Sequence, residues 1–282
     1  MKLENIKKIV VHGGTFHADD TMTVALIRAF SGKIIPVERV PHQADISHYL
    51  EDPNILVADV GRRYEPEMLN FDHHQFKQPE EENRAAAGMV FDWLVEQGII
   101  NSILEKNLKP LIKLIDDNDI GVRPAQVGEL PNIVAGFNRV ENDAAQEAAF
   151  EYVVDMLMRI VNNYIVEAAK ELKAQTAAER GEEVISGVLK VNVEGTAPYL
   201  ILDYIAEHGP AHIDIVYWED PRTGEWKAQV VPEAPGSFKR RGRGFEVAEP
   251  LPNGIKFVHK AQFFMVAESE EALLNYIKEH AK

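Results

Sequence analysis

Four short segments of the chain combine histidine with carboxylate in ways that suit metal chemistry. The first is His12-Gly13-Gly14-Thr15-Phe16-His17-Ala18-Asp19-Asp20. Its glycines let the backbone turn tightly. Its mixture of imidazole and carboxylate suits Mn, Zn, Fe or Mg-type hydrolytic metals. The competing reading is that Asp19 and Asp20 only cap the helix that follows. The second is Asp59, which ends the apolar run 55–60, a place where a lone Asp is often structural. The third is Phe71-Asp72-His73-His74-Gln75. In an extended or turning segment its two rings diverge, so one can bind metal while the other faces substrate. Asp72 can then orient an imidazole. A polar surface turn is the plainer alternative. The fourth is Asp116-Asp117-Asn118-Asp119, at the end of a predicted helix. Acidic charge there opposes the helix macrodipole unless a cation or a turn compensates it. EF-hand spacing is absent. His42, His48, His208, His212 and His280 stand outside these segments and read as surface or packing residues.

Elements must bring these segments together. A β-rich run at 8–11 stops at His12-Gly13-Gly14, and Asp19 or Asp20 caps a helix through Met22, Ala25, Leu26, Ala29 and Phe30, stopped by Gly32. Strands are expected at 34–37 and 55–60. Helices are expected at 43–50, 85–97 and 104–115, the last interrupted or started around Pro110. This alternation predicts an α/β domain with a mostly parallel sheet. In such a sheet ligands bind outside the carboxyl ends of the strands, which points His12, His17 and Asp19 into the site. Residues 143–180 carry apolar positions at helical spacing, with Asp143 and Gln146 as a capping box. They read as one long amphipathic helix or two shorter ones. After 184 the pattern becomes strands at 189–193, 212–218 and 226–231, a helix at 198–208, and a Pro/Gly-rich loop at 232–254. A strand or strand pair at 257–266 and a helix at 269–279 complete it. Residues 1–140 therefore form the metal-binding domain, 141–182 a helical connector and 183–282 a smaller α/β substrate-binding domain, with the active site expected in the cleft between domains.

The 282 residues are 45% hydrophobic and 27% charged, which supports a folded core and excludes a disordered chain. No apolar run reaches eighteen residues and no signal-peptide core precedes Val11, so a cytoplasmic protein without a membrane span is expected. The absence of cysteine excludes disulfides and thiolate metal sites. A net charge of −15 disfavours non-specific binding of polyanions. A phosphate-bearing substrate then needs metal ions or a local basic patch. Lys239, Arg240, Arg241 and Arg243 offer one, with a solvated loop as the alternative.

Taken together, these segments resemble the DHH phosphoesterase superfamily, named for an Asp-His-His motif like Asp72-His73-His74. The closer similarity is to its Myg-type, melanocyte-proliferating-gene-like exonuclease branch. That branch has a His-x-Gly-Thr-Phe-His-x-Asp opening, as at His12 to Asp19. It has Asp-Val-Gly followed by Tyr-x-Pro, as at Asp59-Val60-Gly61 and Tyr64-Glu65-Pro66, and an aromatic-Asp-His-His-Gln, as at Phe71 to Gln75. Ala87-Gly88 before a helix, Val231-Pro232, Pro235-Gly236-Ser237-Phe238 and Phe257-Val258-His259 extend it over nearly the whole chain. The resemblance implies a two-metal phosphodiesterase, an exonuclease acting on RNA or short oligonucleotides. In it His12, His17 and Asp19 are terminal ligands, Asp59 bridges both ions and His73 is a further ligand. Asp119 matches the last acidic ligand best, with Asp116 competing. His74 faces the scissile phosphate. Ser237, His259 and the basic-loop residues Arg240, Arg241 and Arg243 are the expected substrate contacts. Two departures stand out: His17 replaces the first Asp of the superfamily's Asp-x-Asp, and Lys260-Ala261-Gln262-Phe263-Phe264 follows His259 where the family has a Gly-rich stretch. Manganese fits the three imidazoles best, with magnesium second. The same-class alternative is a phosphatase of a small metabolite, dinucleotide or pyrophosphate. The alternative from another class is a non-catalytic metal-binding regulatory protein. A homo-oligomer is compatible with either.

Overall fold

A computed structural model describes residues 3–76 and 84–282. The chain divides into two compact units, Met1–Val166 and Glu167–Lys282.

The first unit is built on β1 (Lys8–His12), β2 (Val37–Val40), β3 (Ile55–Ala58), β4 (Tyr64–Glu65) and β5 (Asn70–Phe71). Their order is β2-β1-β3-β5-β4. The pairs β1–β2, β1–β3 and β3–β5 are parallel, and only β4 runs against its neighbour. Ile9, Val10 and Val11 of central β1 are fully buried. That continuous apolar run is what a parallel strand covered on both faces requires. The helices of this unit are α1 (Ala18–Ser31), α2 (Ser47–Leu50), α3 (Ala86–Glu96), α4 (Ser102–Asp119) and α5 (Leu130–Gly136). The long α6 (Asp143–Glu179) begins in this unit and ends in the next. α1 is buried almost all round from Ala18 to Arg28. It ends at Gly32, whose φ of 65° suits glycine and whose N–H bonds Arg28 O at 3.0 Å.

Several expectations shift by a few residues, each for a local reason. The second strand lies at Val37–Val40 rather than 34–37, because Pro36 has no N–H to give; its carbonyl instead accepts from Ile9 N. α4 continues through Pro110, which is exposed. α1 is entered from His17, not capped by Asp19 or Asp20. Asp20 sits three residues in and accepts the His17 N–H at 2.9 Å, while Asp19 turns to α3. α6 is one continuous helix, and its first-turn acceptor is Asn142, which takes the Ala145 N–H, not Asp143. Gly88 lies inside α3 rather than before it, and α5 had no counterpart in the sequence reading.

The second unit is a six-stranded sheet in the order β10-β11-β9-β8-β7-β6. Its strands are β6 (Glu182–Ile185), β7 (Val188–Lys190), β8 (Ile215–Glu219), β9 (Trp226–Val230), β10 (Ile255–Val258) and β11 (Phe264–Ala267). The last two are a strand pair. The helices α7 (Pro198–His208) and α8 (Glu270–His280) cover opposite faces. Alternation along β8 decides which: Ile215 and Tyr217 join Leu273 and Ile277 of α8, whereas Val216 and Trp218 join Ile201 and Ile205 of α7. Among the described residues no helix is long and apolar enough to cross a membrane.

Candidate metal centre

The parallel sheet of the first unit ends its strands along one edge, and the candidate ligands sit there. β1 ends in His12, β3 runs into Asp59, and β5 runs into Asp72, His73 and His74. His12, Asp19, Asp59 and His73 are buried, Asp119 is partly buried, and His17 is exposed.

Asp59 lies at the centre of the arrangement. Its φ of 55° is left-handed, an uncommon conformation outside glycine that Asp tolerates better than most residues. Its Oδ2 is 3.0 Å from His12 Nε2 and its Oδ1 is 3.4 Å from His73 Nε2. The two carboxylate oxygens thus face different histidines. Two potential ligand groups result, each with its donor atoms within 4.8 Å of one another: His12, His17 and Asp59; and Asp19, Asp59, His73 and Asp119. A third grouping, of Asp59, Asp72, His73 and His74, meets the same criterion. Asp59 belongs to all three.

The surroundings fix these side chains. Asp19 accepts the Ala87 N–H at 2.6 Å and the Ala86 N–H at 3.1 Å, at the positive start of α3. Asp119, the last residue of α4, brings Oδ2 to 3.2 Å from His73 Nε2. Asp72 bonds its own neighbours. Its Oδ2 accepts Arg62 N–H at 2.6 Å, and its Oδ1 accepts His74 N–H at 3.0 Å and lies 2.7 Å from His74 Nδ1. That contact to an acceptor carboxylate favours a proton on His74 Nδ1, and the side chain is half-exposed.

Electrostatics argue for cations in this place. Burial pushes Asp19 well above the usual carboxylate range, and the nearby Asp119 and Asp59 charges push it further. Burial likewise lifts Asp20 to about 7 against the attraction of His12. Burial opposes a charge on His12, but the Asp59 hydrogen bond and the Asp20 and Asp59 charges outweigh it and bring its pKa up to about 9. Asp59 is held below the usual range, burial being overcome by its bonds to His12 and His73. Among the described residues the buried Asp20 Oδ2 has no hydrogen-bond partner. Buried polar atoms are rarely left so. This cluster of imidazole nitrogens and carboxylate oxygens could hold a divalent metal.

Asp116 and Asp119, the two competitors for the last acidic position, part company. Asp116 is 3.0 Å from Arg84 and accepts the Ala85 N–H at 3.2 Å, in none of the ligand groups. Burial raises its pKa to about 7 against Arg84. The expected substrate contacts all lie in the second unit. Ser237 and Arg240 line one cavity there. Arg241 and Arg243 are turned into their own unit: Arg241 donates to the Ile205 and Ala206 carbonyls, and Arg243 forks onto Asp214 at 2.6 and 2.8 Å. His259 lies 4.4 Å from the Phe263 ring and accepts the Ala261 N–H on Nδ1.

Three neighbours of the centre carry no sequence signal of their own. Asn138 accepts the Phe16 N–H at 3.0 Å and donates to the Phe16 O at 2.8 Å, bonding the opening loop as a strand would. Arg39 donates to Gly14 O at 2.6 Å and lies over the Phe150 ring. His42 stacks on His12 with centroids 4.8 Å apart, although its isolated position in the sequence reads as ordinary surface.

The MYG1 exonuclease family model, described as an uncharacterised protein family (UPF0160), matches residues 8–280. The chain is 27% identical to the MYG1 exonuclease of Bos taurus, with 95% of this chain and 83% of that one covered. It is 26% identical to a MYG1 protein of Saccharomyces cerevisiae, with 96% and 95% covered. Among solved structures, a pGpG-specific phosphodiesterase from Vibrio cholerae, PggH, aligns over 98% of this chain and 99% of that one. Its identity is 13% and its TM-score 0.33, too low to carry an argument.

Proposed function

The chain belongs to the MYG1 exonuclease family, and from that premise we propose that it hydrolyses phosphodiester bonds with two divalent metal ions, as an exonuclease on RNA or short oligonucleotides. The observation that carries the reading is Asp59, whose two oxygens are directed at His12 and at His73. His12, His17 and Asp59 would hold one ion, and Asp19, Asp59, His73 and Asp119 the other. When bound, such a pair lowers the pKa of a water and neutralises charge on phosphoryl oxygens.

The chain's own residues do the rest. The α3 amides hold Asp19 in place, so the ligand set does not have to reorganise during reaction. His74 is half-exposed, and its pKa is raised chiefly by the Asp72 hydrogen bond. A cationic imidazole there would hydrogen-bond a phosphoryl oxygen or protonate the leaving oxygen. Asp72 holds that ring without being a ligand itself. The net charge of −15 favours a second reading of the same class: a short substrate such as a dinucleotide, a small phosphate ester or pyrophosphate, which meets less repulsion than long nucleic acid.

A panel of labelled RNA and DNA oligomers, dinucleotides, small phosphomonoesters and pyrophosphate, each with Mn and with Mg, separates the readings. Stepwise shortening of oligomers from one end is expected. Release of phosphate from a monoester or pyrophosphate alone would replace the exonuclease by a phosphatase. Bound metal with no turnover on any substrate would overturn catalysis altogether.

A further inference from the structure

The start of α3 has no cap of its own. Ala85, the residue before the helix, has no side-chain oxygen, and Ala86, Ala87 and Gly88 follow it. The first amides of a helix have no partner within it, and here carboxylates from two other helices take them. Asp19 of α1 accepts from Ala86 and Ala87. Asp116 of α4 accepts the Ala85 N–H at 3.2 Å. The run of small residues lets them come so close: a Cβ at Gly88 would collide with the Asp116 carboxylate.

Asp116 is itself held from another side. It is buried, and its second oxygen lies 3.0 Å from Arg84 Nη1. Arg84 stands just before the helix and folds back along its first turn, where Nη2 donates to the Gly88 carbonyl at 3.1 Å. On α4, Asp116 and Asp119 are three residues apart and so share a face. Asp116 meets the α3 start, and Asp119 reaches to 3.2 Å from His73. Asp19 and Asp119 then meet in one ligand group with Asp59 and His73. The contacts close a ring: α4 holds α3 through Asp116, α3 holds Asp19, and Asp19 stands beside Asp119, which is α4 again. Asp116 is the link of that ring that lies outside the ligand group.

We propose that Asp116 is a positioning residue: clamped by Arg84, it fixes the start of α3 against α4 and so sets where Asp19 stands relative to Asp119. Its consequence for metal binding rests on the two-ion reading proposed above; its geometry does not. A buried tie that only added stability would leave the α3 start and the metal affinity as they are.

The test compares wild type, Asp116→Asn and Arg84→Gln, each as the full chain. Asparagine keeps the shape of aspartate, but whichever way its amide turns, a donor faces a donor, either the Arg84 guanidinium or the Ala85 N–H. Amide hydrogen exchange, followed by NMR on the chelated protein, reports the α3 start directly. Dividing the rates at Ala86 and Ala87 by the rate at Ile112, fully buried within α4, removes any global loss of stability. That ratio is expected to rise severalfold in Asp116→Asn. Mn affinity, by calorimetry, should fall about 10- to 100-fold, the usual cost of losing a group that holds a ligand in place. Adding Arg84→Gln to Asp116→Asn gives the new amide an acceptor and should recover part of both losses. Should Asp116→Asn fail to fold, Arg84→Gln alone, at a side chain 23% exposed, should move the same two readings to a smaller extent. An exchange ratio at the wild-type value overturns the proposal, whatever the melting temperature does, and so does unchanged Mn affinity in a chain that binds Mn. A wild-type chain that binds no Mn would remove the two-ion reading instead, and the exchange ratio alone would then decide whether Asp116 places Asp19.

Discussion

At Asp59 charge and conformation can be separated by a single atom. Asparagine keeps the shape of the side chain and tolerates a φ of 55° as well as aspartate does, so Asp59→Asn should fold. It cannot offer the two anionic oxygens that the proposed pair of ions would share. Loss of an outer partner of a metal ligand already costs about 10- to 100-fold, so loss of a bridging ligand should lower turnover by roughly a hundredfold or more and reduce bound metal. Metal content, turnover and melting temperature measured on one preparation decide it; normal metal content and turnover would return Asp59 to a structural strand end. Asn138 tests the support rather than the ligand. It fixes the Phe16 backbone midway between His12 and Asp19. Asn138→Ala should weaken Mn binding by roughly 10- to 100-fold, with Asn138→Gln failing to rescue because its amide sits one methylene too far out. Unchanged Mn affinity in a variant of lowered melting temperature would make Asn138 a structural residue only. His12 and the Asp72 to His74 segment stood out by residue type, whereas Asp59, alone at the end of an apolar run, was singled out only by the family resemblance. Asn138 was not legible, because what it bonds is backbone 122 residues away and any amide looks alike in sequence. His42 escaped for the same reason, its partner being another strand's end.

At the scale of elements, the helices and parallel strands of the first unit were legible because their periodicity is strong and Gly32 and Gly98 mark helix ends. Boundaries were not, since Pro36 shifts a strand and Asn142 takes over a cap through single hydrogen bonds. The β4–β5 pair, of two residues each, is too short to leave a period. The meeting of α3 and α4 was also hidden, and Gly88 is its point of contact. A Cβ there would lie 2.3 and 2.4 Å from the two Asp116 oxygens. Asp116 cannot simply swing away, because Arg84 and the Ala85 N–H hold it. Gly88→Ala would gain about 1 kcal/mol of helix propensity, and overpacking of this kind costs about 1–3 kcal/mol. With a buried charge pair also disturbed, the clash should win. The variant should denature at lower urea than wild type with an unchanged slope; a higher midpoint would mean that α3 and α4 separate freely.

At the scale of the whole chain, a net charge of −15 is partly invested in one buried cluster, which links metal binding, pH and stability. In the metal-free protein His12 titrates near 9 against an ordinary value of 6.5. Its protonated form therefore stabilises the fold fully below about 6.5, and that contribution is lost as pH rises through 9. Asp20, raised by burial to about 7 from 3.8, acts in the same direction over a lower window: the folded state favours its proton, and stability falls as pH rises from about 3.8 to 7. Chelated protein should therefore melt at progressively lower temperature between pH 6.5 and 9. Metal reverses the dependence. A divalent ion needs His12 neutral and Asp20 unprotonated beside it, so binding releases protons and tightens as pH rises. An ion present at a hundred times its dissociation constant adds about 2.7 kcal/mol to the folded state. The melting-temperature gain from Mn, and from Mg as the redox-inert control, should thus widen over the interval in which the chelated protein weakens. Paired melts with chelator and with metal across that range measure both trends. A metal-induced gain that stays constant or narrows with pH would separate the ions from His12 and remove one of the two ligand groups that meet at Asp59.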